Sequence, residues 1–225
     1  MSAPLVVVLA TGNPGKVREF ARLLAGACEV RLMPRDVELP AETAQTFQEN
    51  ARLKAEAVFV ALRGEVAVLA DDSGLEAAAL DGRPGTLSAR FAGEKAGDEA
   101  NVAKLLEELA GRDDREARFV CSLCLILPGS GEGRWDCRVL EVEGFSHGAI
   151  THAPRGVDGF GYDPVFRPVG WTKTLAEATP TEKDRVSHRG AASQALVALL
   201  SGRAPARQGT GGCEVEDDGV VERGP

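Results

Sequence analysis

Residues 5–10 read LVVVLA and residues 11–16 read TGNPGK. The first stretch is a continuous apolar run, the mark of a short strand buried on both faces. The second holds two glycines and a proline and reads as a turn. A helical pattern follows, with Val17, Phe20, Leu23 and Leu24 on one face and Gly26 closing it. Strand, glycine turn and helix in that order open an α/β fold, and the remaining chain keeps the alternation.

Residues 28–33 are a candidate second strand. Thr46-x-x-Glu49 reads as a capping box. The helix after it is expected to run to about Arg63, with Phe47, Ala51, Ala55, Val58 and Leu62 on its inner face. Val66–Ala70 is another buried strand, expected to deliver Asp71-Asp72-Ser73-Gly74 at its end, before a sharp turn. Asp98 is placed to cap a helix containing Val102, Leu105, Leu106 and Leu109. Arg118–Leu127 and Arg134–His147 read as the two strands of an antiparallel hairpin joined across Gly129–Gly133. Residues 148–172, rich in Gly and Pro, are expected to form a long ordered loop around Phe160-Gly161-Tyr162-Asp163. A last helix is expected from near Thr181 to Leu200, with a break around Ser187-His188. Together these elements predict a three-layer α/β architecture around a mixed sheet. Residues 1–202 form one expected domain, and 203–225 an acidic disordered tail of net charge -2, from three Arg and five acidic residues.

The 225 residues are 44% hydrophobic and 27% charged, with a mean hydropathy of -0.12, enough apolar content for a real core. A net charge of -8 argues against a protein that coats nucleic acid. Taken alone it would also argue against any polyanionic substrate. No apolar run approaches the roughly 18–20 residues of a membrane span. The N-terminus lacks the basic region of a signal peptide, so the expected compartment is the cytoplasm. Five scattered cysteines fit reduced thiols there, and Cys121-x-x-Cys124 falls in an apolar run that reads as core.

Some segments carry possible chemistry, each with a plainer alternative. The turn Thr11–Lys16 can aim backbone N–H groups and a lysine at an anion, or be a tight βα turn without a ligand. It is not a Walker A loop, because Ala10 stands where that motif needs Gly and Val17 where it needs Ser or Thr. The carboxylates of Asp71 and Asp72 suit Mg²⁺, a hard cation that also bridges substrate phosphates, or else form a solvated turn. Neighbours on a strand point to opposite faces, so only one of them should meet the cleft directly. Glu42 could supply a second acidic ligand or be plain surface. The aromatics Phe160 and Tyr162 can stack on a nucleobase, and Asp163 can accept from a ring N–H, or the segment is a packed anchor. Arg189 has a donor fork suited to a carbonyl oxygen. His188 is a donor or a half-buried histidine, and Lys183 a ligand or one of several charges on a solvated first turn.

Thr11-Gly12-Asn13-x-Gly15-Lys16, Thr46-Phe47-x-Glu49-Asn50-Ala51, Ala70-Asp71-Asp72-Ser73-Gly74-Leu75, Pro84-Gly85 with Ser88-Ala89-Arg90, Gly159-Phe160-Gly161-Tyr162-Asp163-Pro164 and Ser187-His188-Arg189-Gly190 follow one another along the chain. In that order they resemble the inosine triphosphate pyrophosphatase family, the non-canonical purine nucleoside triphosphate pyrophosphatases. The resemblance spans residues 5 to about 200. It implies Mg²⁺-dependent hydrolysis of ITP, dITP and XTP to the monophosphate and pyrophosphate. It also implies a homodimer and an elongated α/β fold with a nucleotide cleft between two lobes, with no nucleic-acid or membrane partner. Carried over by position, Thr11, Gly12, Asn13, Pro14, Gly15 and Lys16 would hold the triphosphate. Asp72 would be the metal-linked acid and proton acceptor, with Lys16 beside it in catalysis. Ser73 would touch substrate. Phe160, Gly161, Tyr162, Asp163, Lys183, His188 and Arg189 would hold the nucleotide around its base and phosphates. The chain departs from many relatives at Ala44, where they carry Gly, and at Ala41, where they often carry a second acid, so Glu42 is taken as the second metal carboxylate. Two other functions stay open on the sequence: a house-cleaning pyrophosphatase for another modified or pyrimidine nucleotide, and a nucleotide-binding regulator without catalysis.

Overall fold

A computed structural model describes residues 4–129 and 136–203. Most of the Gly129–Gly133 connection and nearly all of the expected tail therefore lie outside the described residues. The elements run β1 (Leu5–Ala10), α1 (Pro14–Leu23), β2 (Cys28–Leu32), α2 (Phe47–Ala61), β3 (Ala67–Ala77), α3 (Asp98–Glu108), β4 (Glu116–Pro128), β5 (Cys137–Ile150), β6 (Phe166–Pro168), α4 (Pro180–Val186) and α5 (His188–Leu200). Six strands form one mixed sheet in the order β2-β1-β3-β4-β5-β6. β1 is parallel to both of its neighbours, and every later pairing is antiparallel. Among the described residues no helix is long and apolar enough to cross a membrane.

The period of two along each strand sorts the core into layers. Val7 and Leu9 of β1, Leu69 of β3, and Cys121, Leu123 and Leu125 of β4 share one face, where α1 brings Phe20 and its C-cap Leu24 and α5 brings Ala192 and Leu196. Val8, Ala10, Val68, Ala70, Cys124 and Ile126 take the other face, against Ala51, Ala55, Val58 and Phe59 of α2. A third cluster fills the far end of the sheet, where Leu75 and Phe119 meet Leu105 of α3, its C-cap Leu109 and Phe166 of β6. Cys121 and Cys124 belong to these packed faces, as expected of core cysteines.

Several local expectations change. β3 does not stop at Ala70. Its parallel partner β1 ends at the Ala10–Ala70 pair, but β4 stays beside it from Val68–Ile126 to Ala77–Ala117. Asp71-Asp72-Ser73-Gly74 is therefore mid-strand, and an unbroken antiparallel ladder replaces the expected sharp turn. Gly74 serves close approach, since a Cβ there would strike the Ser88 hydroxyl and the Gly85 carbonyl. Asp98 does not cap α3, because Gly97 holds the cap position. Instead Asp98 reaches across to accept the Gly161 N–H at 2.6 Å. The expected loop 148–172 is interrupted by the short edge strand β6, paired with the end of β5.

Only half of the expected capping box forms at α2: Thr46 Oγ1 accepts the Glu49 N–H at 3.2 Å, but the Glu49 carboxylate accepts from the Thr46 hydroxyl at 2.9 Å rather than from the Thr46 N–H. The break in the last helix falls at Ser187. Its N–H closes α4 onto the Lys183 carbonyl at 2.8 Å, and its hydroxyl opens α5 by accepting the Gly190 N–H at 3.0 Å. The first of these helices begins at Pro180, one residue before the expected start, behind a Thr179–Glu182 capping box.

Candidate active site

At the point where β1 ends and β3 continues, the turn Thr11–Lys16, the mid-strand acids and the Phe160–Asp163 loop surround a cavity of about 270 Å³. This is the edge of the parallel part of the sheet, the usual place for ligands in open α/β folds. A larger groove of about 600 Å³ lies at the β6 end and takes Arg118, His147, Arg167 and Trp171. It is open, and none of the candidate residues enters it.

The turn is built around Asn13. Its side-chain oxygen accepts the N–H groups of Gly15 and Lys16 at 2.8 and 3.3 Å, satisfying the first donors of α1. Thr11 Oγ1 accepts the Asn13 N–H at 3.2 Å. Thr11, Gly12, Asn13 and Lys16 face the cavity, whereas Pro14 and Gly15 do not line it. Gly15 is buried under the Phe160 ring, and a Cβ there would sit 2.9 Å from the ring carbons. That glycine lets the Phe160 loop close onto the turn.

Strand alternation decides what the two aspartates do. Asp71 continues the series Ala67, Leu69 and so points toward α1 and α5, where Lys16 Nζ pairs with it at 2.8 Å and Arg189 Nε lies at 3.8 Å. It is fully buried. Burial opposes its ionisation, yet Lys16 and Arg189 outweigh it and hold the carboxyl below the usual range. Asp72 continues the series Val68, Ala70 and points toward α2, where it lines the cavity. Asn50 Nδ2 donates to its Oδ2 at 3.0 Å, the Ser73 N–H donates to its Oδ1 at 3.0 Å, and Lys54 Nζ lies 3.6 Å away. Burial pushes its pKa up to about 6; Lys54 opposes the shift and Glu42 adds to it. One of the two acids meets the cavity, as the alternation required.

Glu42 comes to the same wall. Lys54 Nζ donates to its Oε1 at 2.5 Å, and Arg90 holds its loop by donating to the Glu42 carbonyl at 2.9 Å. Glu42 and Asp72 thus share a single ammonium. Among the described residues no cluster of three or more His, Cys, Asp or Glu is arranged for a metal. Two carboxylates that already gather around one cation fit Mg²⁺, which takes one or two protein carboxylates and fills its shell from water and substrate phosphates.

A buried charge network backs the cavity. Lys183, in the last turn of α4, donates to Asp163 at 2.7 Å and pairs with Glu19 at 2.6 Å. It is buried behind Phe160, off the cavity lining, so the reading of a solvated first-turn charge is overturned. Arg189 donates to Glu19 at 3.1 Å and to Ser73 Oγ at 2.8 Å. The Phe160 ring lies 4.9 Å from both Lys183 Nζ and Arg189 Cζ, over the two cations. Phe160 is half-buried and faces the cavity, while Tyr162 is a packed anchor whose hydroxyl donates to the Ser88 carbonyl at 2.9 Å. Asp163 also fixes its own loop, accepting the Phe160 N–H at 3.0 Å. His188 is stacked flat on Phe119, with ring centroids 4.6 Å apart. Burial, then the nearby Arg189 and Lys183, push its pKa well below 6.5, so the ring is neutral at physiological pH. Its Nδ1 has no hydrogen-bond partner among the described residues.

Sequence reasoning missed Lys54, Asn50 and Glu19. Lys54 and Asn50 lie on the apolar stripe of α2 beside Ala51 and Ala55, and all four are buried. Glu19 sits next to Phe20 on the inward face of α1. Polar residues on an apolar stripe were the available signal, because a buried charge requires a partner.

The sequence model of the Ham1 family matches residues 7–199. A dITP/XTP pyrophosphatase of an Exiguobacterium species is 50% identical over 197 residues, covering 86% of this chain and 96% of that protein. The dITP/XTP pyrophosphatase of Bacillus subtilis is 44% identical over 198 residues, covering 86% of this chain and 96% of its own length. The solved structure of a HAM1 protein from Coxiella burnetii superposes with a TM-score of 0.75 at 38% identity, covering 88% of this chain and 99% of that one. With the family match running from the middle of β1 to the end of α5, and with relatives of this identity along nearly their whole length, the chain belongs to the Ham1 family.

Proposed function

We propose that this chain hydrolyses deaminated purine nucleoside triphosphates, ITP, dITP and XTP, to the monophosphate and pyrophosphate, and so cleanses the nucleotide pool. The observation that carries this reading is one cavity lined by a cationic glycine turn, by the Asp72 and Glu42 carboxylates, and by the Phe160 ring with Arg189 and His188, whose Nδ1 has no hydrogen-bond partner among the described residues. That arrangement suits a ligand with a polyphosphate tail and a polar planar head. The names of the curated relatives support it.

In this reading Thr11, Gly12 and Lys16 receive the triphosphate. Asp72 orients the attacking water at the α-phosphorus and accepts its proton, a role suited to a carboxylate whose pKa lies near 6. Asp72 and Glu42 would hold Mg²⁺, which when bound neutralises phosphate charge and activates water. Lys54 keeps the two carboxylates close together despite their charge. Phe160 covers the base, and the Arg189 fork meets O6. ITP and XTP present a carbonyl there and adenine presents an amino group, so the same donor accepts the first two and opposes the third. This reading takes residues 1–202 as one catalytic domain acting in the cytoplasm as a homodimer, with no nucleic-acid or membrane partner.

The test is pyrophosphate release from ITP, dITP, XTP, ATP, GTP and dTTP, each with Mg²⁺ and with EDTA. Release from the first three only, abolished by EDTA, is the expected result. Preference for dTTP would assign a different house-cleaning substrate, and binding of ITP without release would make the chain a regulator. Lys54→Met should lower ITP turnover about 100-fold, the scale of losing one charge aimed at a reacting centre. A wild-type rate in that variant, measured in the same assay, would remove Lys54 from the site.

A further inference from the structure

Asn50 stands in the motif Thr46-Phe47-x-Glu49-Asn50-Ala51, and nothing in the proposed chemistry uses it. It is fully buried, with 0% exposure, beside Ala51 on the face of α2 that packs on the sheet. A primary amide in such surroundings is unfavourable unless both of its ends are bonded. Here both ends are bonded, one to Asp72 and the other to the loop that carries Glu42. Nδ2 donates to Asp72 Oδ2 at 3.0 Å. Oδ1 accepts the N–H of Ala44 at 3.0 Å, two residues along the loop from Glu42, and Nδ2 lies 3.5 Å from the Ala44 carbonyl.

We propose that Asn50 is a positioning residue of this site: its carboxamide sets the orientation of Asp72 and ties the Glu42 loop to it. The geometry is hierarchical. The Thr46 cap fixes the first turn of α2, where the Asn50 N–H bonds the Thr46 carbonyl at 3.2 Å. One turn on, Lys54 projects from the same face (the i, i+4 spacing). The two side chains approach different oxygens of Asp72, Asn50 at Oδ2 and Lys54 at Oδ1. With the Ser73 N–H also on Oδ1, each oxygen of the carboxylate accepts a hydrogen bond from a donor fixed by the fold. An amide does this where an acid cannot: it donates to Asp72 while accepting from Ala44, and it adds no third negative charge beside Glu42 and Asp72.

This inference rests on the reading of Asp72 as the proton acceptor, and the test separates the two. Asn50→Asp is nearly isosteric. It keeps the acceptor for Ala44 and removes the donor to Asp72, but it also sets a third carboxylate beside Glu42 and Asp72. The uncharged Asn50→Leu, which removes the donor without adding charge, therefore goes through every measurement beside it and must show the same losses. Steady-state kcat and KM for ITP are measured for the wild type, Asn50→Asp, Asp72→Asn and the double variant. Binding of the non-cleavable α,β-methylene analogue of ITP is measured by calorimetry, and folding by thermal melts. Asn50→Asp is expected to lower kcat about 10–100-fold with analogue affinity held within about threefold, the usual effect of losing a residue that orients a ligating side chain. In the Asp72→Asn background the same change should have almost no further effect, because the residue acts through the carboxylate already removed. Near wild-type kcat in Asn50→Asp, or effects that simply multiply in the double variant, would overturn the inference and leave Asn50 a tie for the loop alone. A wild-type rate in Asp72→Asn would instead overturn the reading beneath it. Asn50→Ala goes through the same cycle if the acidic variant does not fold.

Discussion

Asp72→Asn is expected to lower ITP turnover by about 10³–10⁴, the loss typical of a single member of a catalytic group, and at the same time to make the protein more stable at pH 8. The two effects have one cause. Asp72 is a nearly buried carboxylate, 4% exposed, whose pKa burial has raised from 3.8 to about 6. Between pH 4 and 6 the folded state therefore binds more protons at this position than the unfolded chain does. Stability from this group rises as pH falls from above 6 toward 4, and the full penalty for ionised Asp72 is present above 6. A shift of about two pH units corresponds to roughly 3 kcal/mol. Asn keeps the shape and removes that charge. For a domain of this size each kcal/mol moves the melting temperature by about 2–4 °C, so a rise of several degrees is expected at pH 8 in EDTA. Near pH 4.5, where the carboxyl is protonated in the folded state but still ionises in the unfolded chain, the gap should shrink to about a third, and it should close below pH 4. Melts over that pH range check it, alongside pyrophosphate release. A wild-type protein that melts higher than Asp72→Asn at pH 8 would show that Asp72 is not held against its own solvation.

The parts of this site legible in the sequence are those made by neighbours in the chain. The turn Thr11–Lys16, the Thr46 cap of α2 and the Ser187 break are local hydrogen-bond patterns, and residue types at short spacing report them directly. Asp71-Asp72-Ser73-Gly74 misled for the same reason. Its local chemistry is that of a turn, and only β4, some fifty residues on, holds it extended. The charge network was hidden more deeply. Glu19 meets Lys183 and Arg189 across more than 160 residues, and Lys54 meets Glu42 and Asp72 from a separate helix. No local pattern encodes such pairs. What the sequence does carry is the irregularity they leave, a charged residue on a stripe that otherwise packs. The acidic balance of the chain is likewise no obstacle to a triphosphate, because several acids in the site face cations rather than the cavity. Asp71 neutralises Lys16 from below, and Glu19 lies behind Arg189.

Replacing Arg189 by Lys should collapse the preference for ITP over ATP by at least 100-fold while leaving the phosphate end intact. Sites built to hydrogen-bond a substrate group reject the analogue that lacks it by about 10⁴, and the source of that rejection is a donor that cannot turn away. Arg189 has this property. It is 5% exposed, one terminal nitrogen donates to Glu19 at 3.1 Å and the other to Ser73 Oγ at 2.8 Å. The Phe160 ring lies over the guanidinium at 4.9 Å. Each terminal nitrogen has a second N–H, so the fork is fixed by protein on one side and still has donors for O6. Lysine keeps the positive charge between Glu19 and Asp71, which guards against the unfolding that a neutral residue would bring by leaving those carboxylates underpaired. It lacks the planar fork, and its ammonium can swing away from an opposing amino group. The expected result is a kcat/KM for ITP that falls, one for ATP that falls much less, and an unchanged requirement for Mg²⁺. An unaltered ratio of the two, in a variant with wild-type melting behaviour, would mean that Arg189 supports the cavity wall and that the base is read by another group, with the free nitrogen of His188 the next to test.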